Sequence, residues 1–451
     1  MATLNNSDAL LINNPSIPAI QSIFYDINSN FVNKSWLKTN NRYRDDCVAQ
    51  IKSDLKANPK QIDKKHLAEY IVASTPVHCL DGWSYLGRAI ECHFRGDIAN
   101  AKHLGYYAEL RAAMSILASQ GIGIFDHQHF IIDRNGDAQE LSTHAGTHDM
   151  VWLVLNEWAK HAPSKNLLAS VIQPKGIPLS QWLDFFVGSS NAYQAVADKL
   201  FTDLGFDLER FEKDKRARNE SSYRPNRISS FQSQNFSHDV NYVCGLWDIF
   251  EFGGSQGFEK IDLFLLRICL HNWFNSTNQI PDLYQDPTHK KNFETKIDYM
   301  IFKMGFGHSQ NTFLKGFLFD QNFTYPQIFE EARKKDGSRT FNQHIQLLSR
   351  ASLLLRIATG ANAGLLLNSK TKLNDIQYWW GPLGIERGLW EVNSTPTQFN
   401  ELWDDIKVAL DDTTTCLCNP DLNLYECHKN NGFSFAKLGE CERIALWGFG
   451  I

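Results

Sequence analysis

Little in the chain marks a membrane, secreted or cofactor-binding protein. No window approaches the roughly 18 consecutive apolar residues that a bilayer-crossing helix needs, so no membrane association is expected. The start, Met1-Ala2-Thr3-Leu4-Asn5-Asn6-Ser7-Asp8, has neither the basic end nor the apolar stretch of a secretory leader. A soluble, cytoplasmic protein is expected. Glycine and proline are modest, 28 and 14 in 451 residues. With no low-complexity tract and no repeat of fixed period, neither a disordered chain nor a helical solenoid is supported. Excess positive charge is missing as well. A formal net charge of -5 gives no global attraction to nucleic acid, so any such contact needs a local basic patch.

Signatures of metal and nucleotide chemistry are also lacking. His127, His129, His144 and His148 crowd one stretch, but there is no His-Glu-x-x-His, and Gly146 interrupts the spacing of the last two. Phe252-Gly253-Gly254-Ser255-Gln256-Gly257 follows no strand and lacks the lysine and hydroxyl pair that grips a triphosphate. No Gly-x-Ser-x-Gly turn occurs. Neither a metal nor a cofactor is expected. The nine cysteines form no framework. Cys47, Cys79, Cys92, Cys244 and Cys269 stand singly among apolar neighbours, as small buried hydrophobes do. Cys416, Cys418, Cys427 and Cys441, with His428, offer only one close pair where structural zinc uses two.

What the chain does have is apolar content, 43% with 12% aromatic, at helical spacing. The fold class is mainly α. Residues 1–60 read as an irregular arm ending in a short helix near 42–55. Residues 61–230 read as a helical bundle, with helices over 82–94 and 98–119, the first within a periodicity that starts near Lys64. Phe130-Ile131-Ile132-Asp133 and the Asn135-Gly136 turn predict a small hairpin excursion. Thr147 is placed to cap a helix over 149–160, another opens at Ser180 and runs to Leu200 with a break at Gly188, and 208–216 is helical by propensity. Residues 231–451 form a second helix-rich region, with helices near 240–251, 259–273, 291–304, 325–335, 341–359, 399–411 and 435–444. A boundary is expected in the 229–235 linker and a weaker one near 382–396. Trp379, Trp380, Trp390, Phe433, Phe435, Trp447 and Phe449 fall outside clean helix periods. They either anchor connections to the core or form an interface. The apolar tail, 445–451, is expected to dock on the body or on a partner.

The densest chemistry lies in Arg216-Ala217-Arg218-Asn219-Glu220-Ser221-Ser222-Tyr223-Arg224. Arg216 and Tyr223 project together on a helix, and Arg218 and Ser222 share a neighbouring face. Guanidinium groups near a helix end, with an adjacent amide, grip phosphate through planar paired donors. The alternative is structural, with the arginines salt-bridged and Tyr223 packed between helices. A second pair, Arg88 and His93, is five positions apart and diverges by about 140° on an ideal helix.

The order of elements over residues 80–228 resembles the HEPN family of helical bundles, found in toxin and antiviral ribonucleases and in nucleotidyltransferase partners. Tyr106-Tyr107-Ala108-Glu109-Leu110-Arg111-Ala112-Ala113 is similar to that family's early aromatic helix, and His144-Ala145-Gly146-Thr147-His148 to its histidine-small-glycine stretch. Arg218, Asn219 and Tyr223 match its arginine, polar residue and later histidine or tyrosine. The resemblance implies an RNA-directed protein, a metal-independent endoribonuclease, working as a homodimer. Its site would comprise Arg218, Asn219 and Tyr223, with Arg216 and Arg224 on phosphate. Tyrosine, with a pKa near 10, is a poor base for a 2'-hydroxyl, so His144 and His148 are the candidate proton acceptors. The alternative function is a non-catalytic scaffold that binds a protein or nucleic-acid partner through the bundle or the aromatic second half.

Overall fold

The computed structural model describes residues 3–57, 59–188, 200, 204, 208–223, 236–253, 257–334, 343–417 and 424–450. The fold is mainly α, as the periodicity predicts, with one small sheet. The supposed irregular arm carries helices α1 (Asn6–Ile12) and α2 (Ile17–Asn28) before α3 (Cys47–Lys56). Their short apolar faces, such as Ile20, Phe24 and Ile27, are buried, and tertiary packing supplies what the turn-forming neighbours withhold locally.

Helices α4 (Lys64–Phe94) and α5 (Ile98–Ser119) form the central antiparallel pair. Each starts on an aspartate whose carboxylate accepts from a first-turn amide, Asp63 from His66 N and Asp97 from Asn100 N. Gly96, at φ 69°, makes the reversal between them. After α5 come β1 (Ile122–Phe125), β2 (Gln128–Ile132) and β3 (Ala138–Glu140). They form an antiparallel meander, so the expected hairpin has a third strand; Ile122 faces Ile131, and Ile132 faces Ala138. Helices α6 (Thr147–Ala159), α7 (Ala162–Val171) and α8 (Leu179–Val187) follow. Thr147 is not the cap of α6: Gly146 holds that position, with no side-chain hydrogen bond. Gly188 ends α8 at φ 81°.

Helix α9 (Leu208–Tyr223) carries the basic run, and Arg224 and the 229–235 linker lie outside the described residues. The second half continues with α10 (Phe236–Ile249), α11 (Glu259–Thr277), α12 (Pro287–Met304), α13 (His308–Phe319), α14 (Gln327–Arg333), α15 (Gln343–Asn368), α16 (Gln377–Glu386), α17 (Phe399–Leu417), α18 (Leu424–Lys437) and α19 (Glu442–Gly448). α15 lies against both α4 and α5 and is buried nearly all round. Two glycines permit that approach: a Cβ on Gly82 would stand 2.7 Å from Leu355, and one on Gly105 2.4 Å from Leu347. Buried hydrophobic side chains from Ile12 to Phe449 make one connected core.

The aromatic residues of the second half anchor chain segments. Trp380, Phe435, Trp447 and Phe449 are buried and Trp379 and Trp390 pack against the core, whereas Phe433 is exposed. Helix α19 is wholly buried, so the apolar tail docks on the body of the protein. Cys416 and Cys427 form a disulfide between α17 and α18. Cys47, Cys79, Cys269 and Cys441 are buried outside that disulfide, and burial pushes the thiol of Cys79 up to about 12. Among the described residues no cluster of histidine, cysteine, aspartate or glutamate is arranged to hold a metal, and no helix is long and apolar enough to cross a membrane.

Candidate phosphate-binding site

Four helices bring the site together. α4 supplies Tyr85 and Arg88, α5 supplies His103, Tyr106 and Tyr107, α6 supplies His148, and α9 supplies Arg218, Asn219 and Ser222. α9 is held against α6 by Trp152 stacked on Phe211 at 4.1 Å and by the ion pair of Lys215 with Asp149.

Arg218 is the centre. Its Nη2 donates to the Tyr107 hydroxyl at 2.6 Å, its Nη1 donates to Asn219 Oδ1 at 2.8 Å, and its buried Nε has no partner. No carboxylate among the described residues pairs with it. Salt-bridging, the structural reading of the run, therefore fails for this arginine. It holds for Arg216, which reaches Glu212 at 3.3 Å from an exposed position. The Tyr107 ring lies 5.3 Å from the Arg218 guanidinium carbon and stacks on Tyr85 at 5.4 Å, while Arg88 sits 4.6 Å over Tyr85. Two stacked phenols thus separate two guanidinium groups, each stabilised by a ring face.

The histidines on either side take opposite tautomers. Ser222 spends its hydroxyl hydrogen on the Arg218 carbonyl at 2.9 Å, so at its 2.7 Å contact with His103 Nδ1 the ring nitrogen donates. His103 Nε2 is left as the basic nitrogen. At His148 the order reverses. Trp152 Nε1 donates to the Tyr106 hydroxyl at 3.3 Å, and burial holds that phenol's pKa well above its ordinary range. Tyr106 therefore donates to His148 Nδ1 at 3.0 Å, and the proton of the neutral ring lies on Nε2. Both imidazoles titrate below the usual value of 6.5, first through burial and then through the charge of Arg218, with Lys215 adding to the effect at His148. At neutral pH the site presents two guanidinium cations, Arg218 and Arg88, one basic nitrogen and one N–H donor.

Of the residues singled out in the sequence, Arg218, Asn219 and His148 come together. Tyr223 is in α9 but 78% exposed and turned to solvent, as Arg216 is. His144 is placed elsewhere: it is exposed and bonded through Nδ1 to the His127 carbonyl at 3.1 Å, within the hairpin. Beside it, His129 bonds the Ala145 carbonyl and is pushed down to about 4 by burial. Loop hydrogen bonding accounts for His129 and His144. Arg88 and His93 diverge, as the helix spacing requires. His93 is buried 3.0 Å from His344, and it is Arg88 that reaches the site. His103 and Tyr107 lie in or beside the aromatic helix that the sequence marks, but the sequence reading gives neither a role at the site. Their i, i+4 spacing, facing Tyr85 and Arg88 at i, i+3, was the available signal.

Comparison of the chain with protein-family models, with curated proteins and with solved structures gives no match, so the geometry of the site carries the functional reading.

Proposed function

We propose that the protein binds RNA and cleaves it without a metal, with the scissile phosphate on Arg218. The observation that carries this reading is a guanidinium free of carboxylates, flanked by two neutral histidines of opposite tautomer. His103 Nε2 takes the 2'-hydroxyl proton, the 2'-oxygen attacks phosphorus, and the 5'-oxygen departs with a proton returned from the imidazolium. Arg218 and the His148 Nε2–H stabilise the negative charge that builds on the non-bridging oxygens. The product is a 2',3'-cyclic phosphate. The reading keeps the HEPN-like assignment of Arg218 and Asn219 and moves the base to His103. Arg216 and Tyr223, on the outward side of α9, are the surface that meets flanking RNA or a second copy of the chain. A cytoplasmic ribonuclease of a toxin or anti-phage system fits this chemistry.

The test is incubation of labelled single-stranded RNA with wild type and Arg218→Ala in EDTA. Cleavage with cyclic-phosphate ends in the wild type alone is expected. RNA bound but left intact by wild type across several sequences would replace the enzyme with the binding-module reading.

A further inference from the structure

A cavity of about 600 Å³ opens where α4 and α5 meet the N-terminal arm and α16. That volume is within the range of small-ligand sites. It shares helices with the Arg218 site and none of its residues. Arg111 follows Tyr107 by one turn of α5, and His78 precedes Tyr85 by two turns of α4.

Aromatic rings make up much of the wall. Trp36 and Trp379 meet edge to face at 5.2 Å, Tyr378 lies 6.4 Å from Trp36, and Tyr70 stands on α4. Trp36 Nε1 and the Tyr378 hydroxyl are buried polar atoms with no hydrogen-bond partner. Both atoms are closed off from the open space, so it is the ring faces that line it. The same cavity is lined by Lys34, Arg44 and Arg111. Arg111 has no carboxylate partner among the described residues. Its Nη1 donates to His78 Nδ1 at 2.8 Å, and burial, reinforced by the Arg111 charge, pushes that imidazole down to about 3. A neutral histidine therefore orients the guanidinium without cancelling it. Two acids also line the space: Asp81, with Arg387 3.7 Å away, and the exposed Glu386.

We propose that this cavity binds a nucleoside monophosphate, its base against the Trp36, Tyr378 and Trp379 rings and its phosphate on Arg111, with Arg44 and Lys34 adding charge. Flat rings stack on aromatic faces with little regard to sequence, and a planar guanidinium fits phosphate oxygens in pairs. Asp81 and Glu386 set the limit on charge, because a triphosphate would crowd its extra anions against them.

The test uses the full chain. The four common nucleoside monophosphates are titrated by tryptophan fluorescence and by calorimetry, alongside a nucleoside, inorganic phosphate and a nucleoside triphosphate. At least one monophosphate should bind and quench emission, with the nucleoside, free phosphate and triphosphate each about tenfold weaker or more. Arg111→Met and Trp379→Ala, each checked for native helicity, should weaken binding by about tenfold or more. Arg218→Ala should leave it unchanged. Absence of binding by all four monophosphates, a triphosphate that binds as well, or binding lost in Arg218→Ala and kept in Arg111→Met would overturn the assignment. Because the Arg218 variant separates the two sites, RNA cleavage can fail while this site stands.

Discussion

Arg350 grips Asp214 with three short contacts, Nε at 3.0 Å and Nη2 at 2.7 and 2.6 Å, and both side chains are almost fully buried. This pair joins α15 to α9 one helical turn before Arg218. Glu109 of α5 stands 3.7 Å from the same guanidinium. Removing one partner of a buried pair leaves a charge without compensation. Asp214→Asn is therefore expected to cost about 3–5 kcal/mol in urea unfolding. In the Glu109→Gln background neither of these two carboxylates would remain beside Arg350. The double variant should then lose more than the sum of the single changes.

Glu109 sets a pH dependence of its own. Burial first, and then the Asp214 charge, raise its pKa well above 4.5, with Arg350 opposing, so the folded protein holds this carboxyl protonated more firmly than the unfolded chain does. A raised folded pKa gives stability that is complete below pH 4.5 and is lost as pH rises through the folded value. Glu109→Gln keeps the shape and removes the proton. The variant should match wild type in urea midpoint near pH 4.5 and exceed it increasingly at higher pH. A constant difference across that range would show that Glu109 does not titrate in this window.

The proposed cleavage carries a different signature. As the proposed base His103 would act only when neutral, and burial together with the Arg218 charge lowers its pKa. The acid limb of kcat/KM should therefore fall below pH 6.5, leaving activity flat through neutrality. His103→Asn should remove that limb and lower kcat by about 10²–10⁴-fold. Ser222→Ala, which releases the tautomer but keeps the imidazole, should retain the limb and lose less activity. His144→Ala should change neither rate nor profile, because that side chain is bonded to the β1–β2 turn, away from Arg218.

Long amphipathic stretches were legible: the sequence places a helix over 98–119, which are the bounds of α5. α16 was hidden because Gly381, Pro382 and Gly384 oppose helix formation. Burial of Trp380, and the seating of Trp390 where a Gly384 Cβ would be 1.9 Å away, override that preference. The same division runs through the site. Arg218 and Asn219 stood out because local composition marks a basic helix end. Tyr107 and His103 did not, because their contacts with α9 span 111 and 119 residues of sequence, and the facing of two helices is a property of packing. Tautomers lie further still from the sequence, since they follow from where Ser222 and Trp152 direct their hydrogens.

Tyr223 is the residue whose sequence position and structural position give the most different expectations. It fills the place that a catalytic histidine or tyrosine would take in the resembled motif, yet its ring is 78% exposed at the end of α9. Its side chain is turned to solvent, so the proposed reaction gives its hydroxyl no part. An exposed ring beside the outward Arg216 is instead suited to stacking an RNA base next to the scissile phosphate, a contact of about 1–3 kcal/mol. Tyr223→Ala should raise KM for single-stranded RNA about tenfold, leave kcat and its pH profile in place, and shift stability by less than about 0.5 kcal/mol. Tyr223→Phe keeps the ring and loses only the hydroxyl, so it should behave as wild type. A kcat deficit in the phenylalanine variant would return the hydroxyl to the reaction, and steady-state kinetics across the two variants would show it.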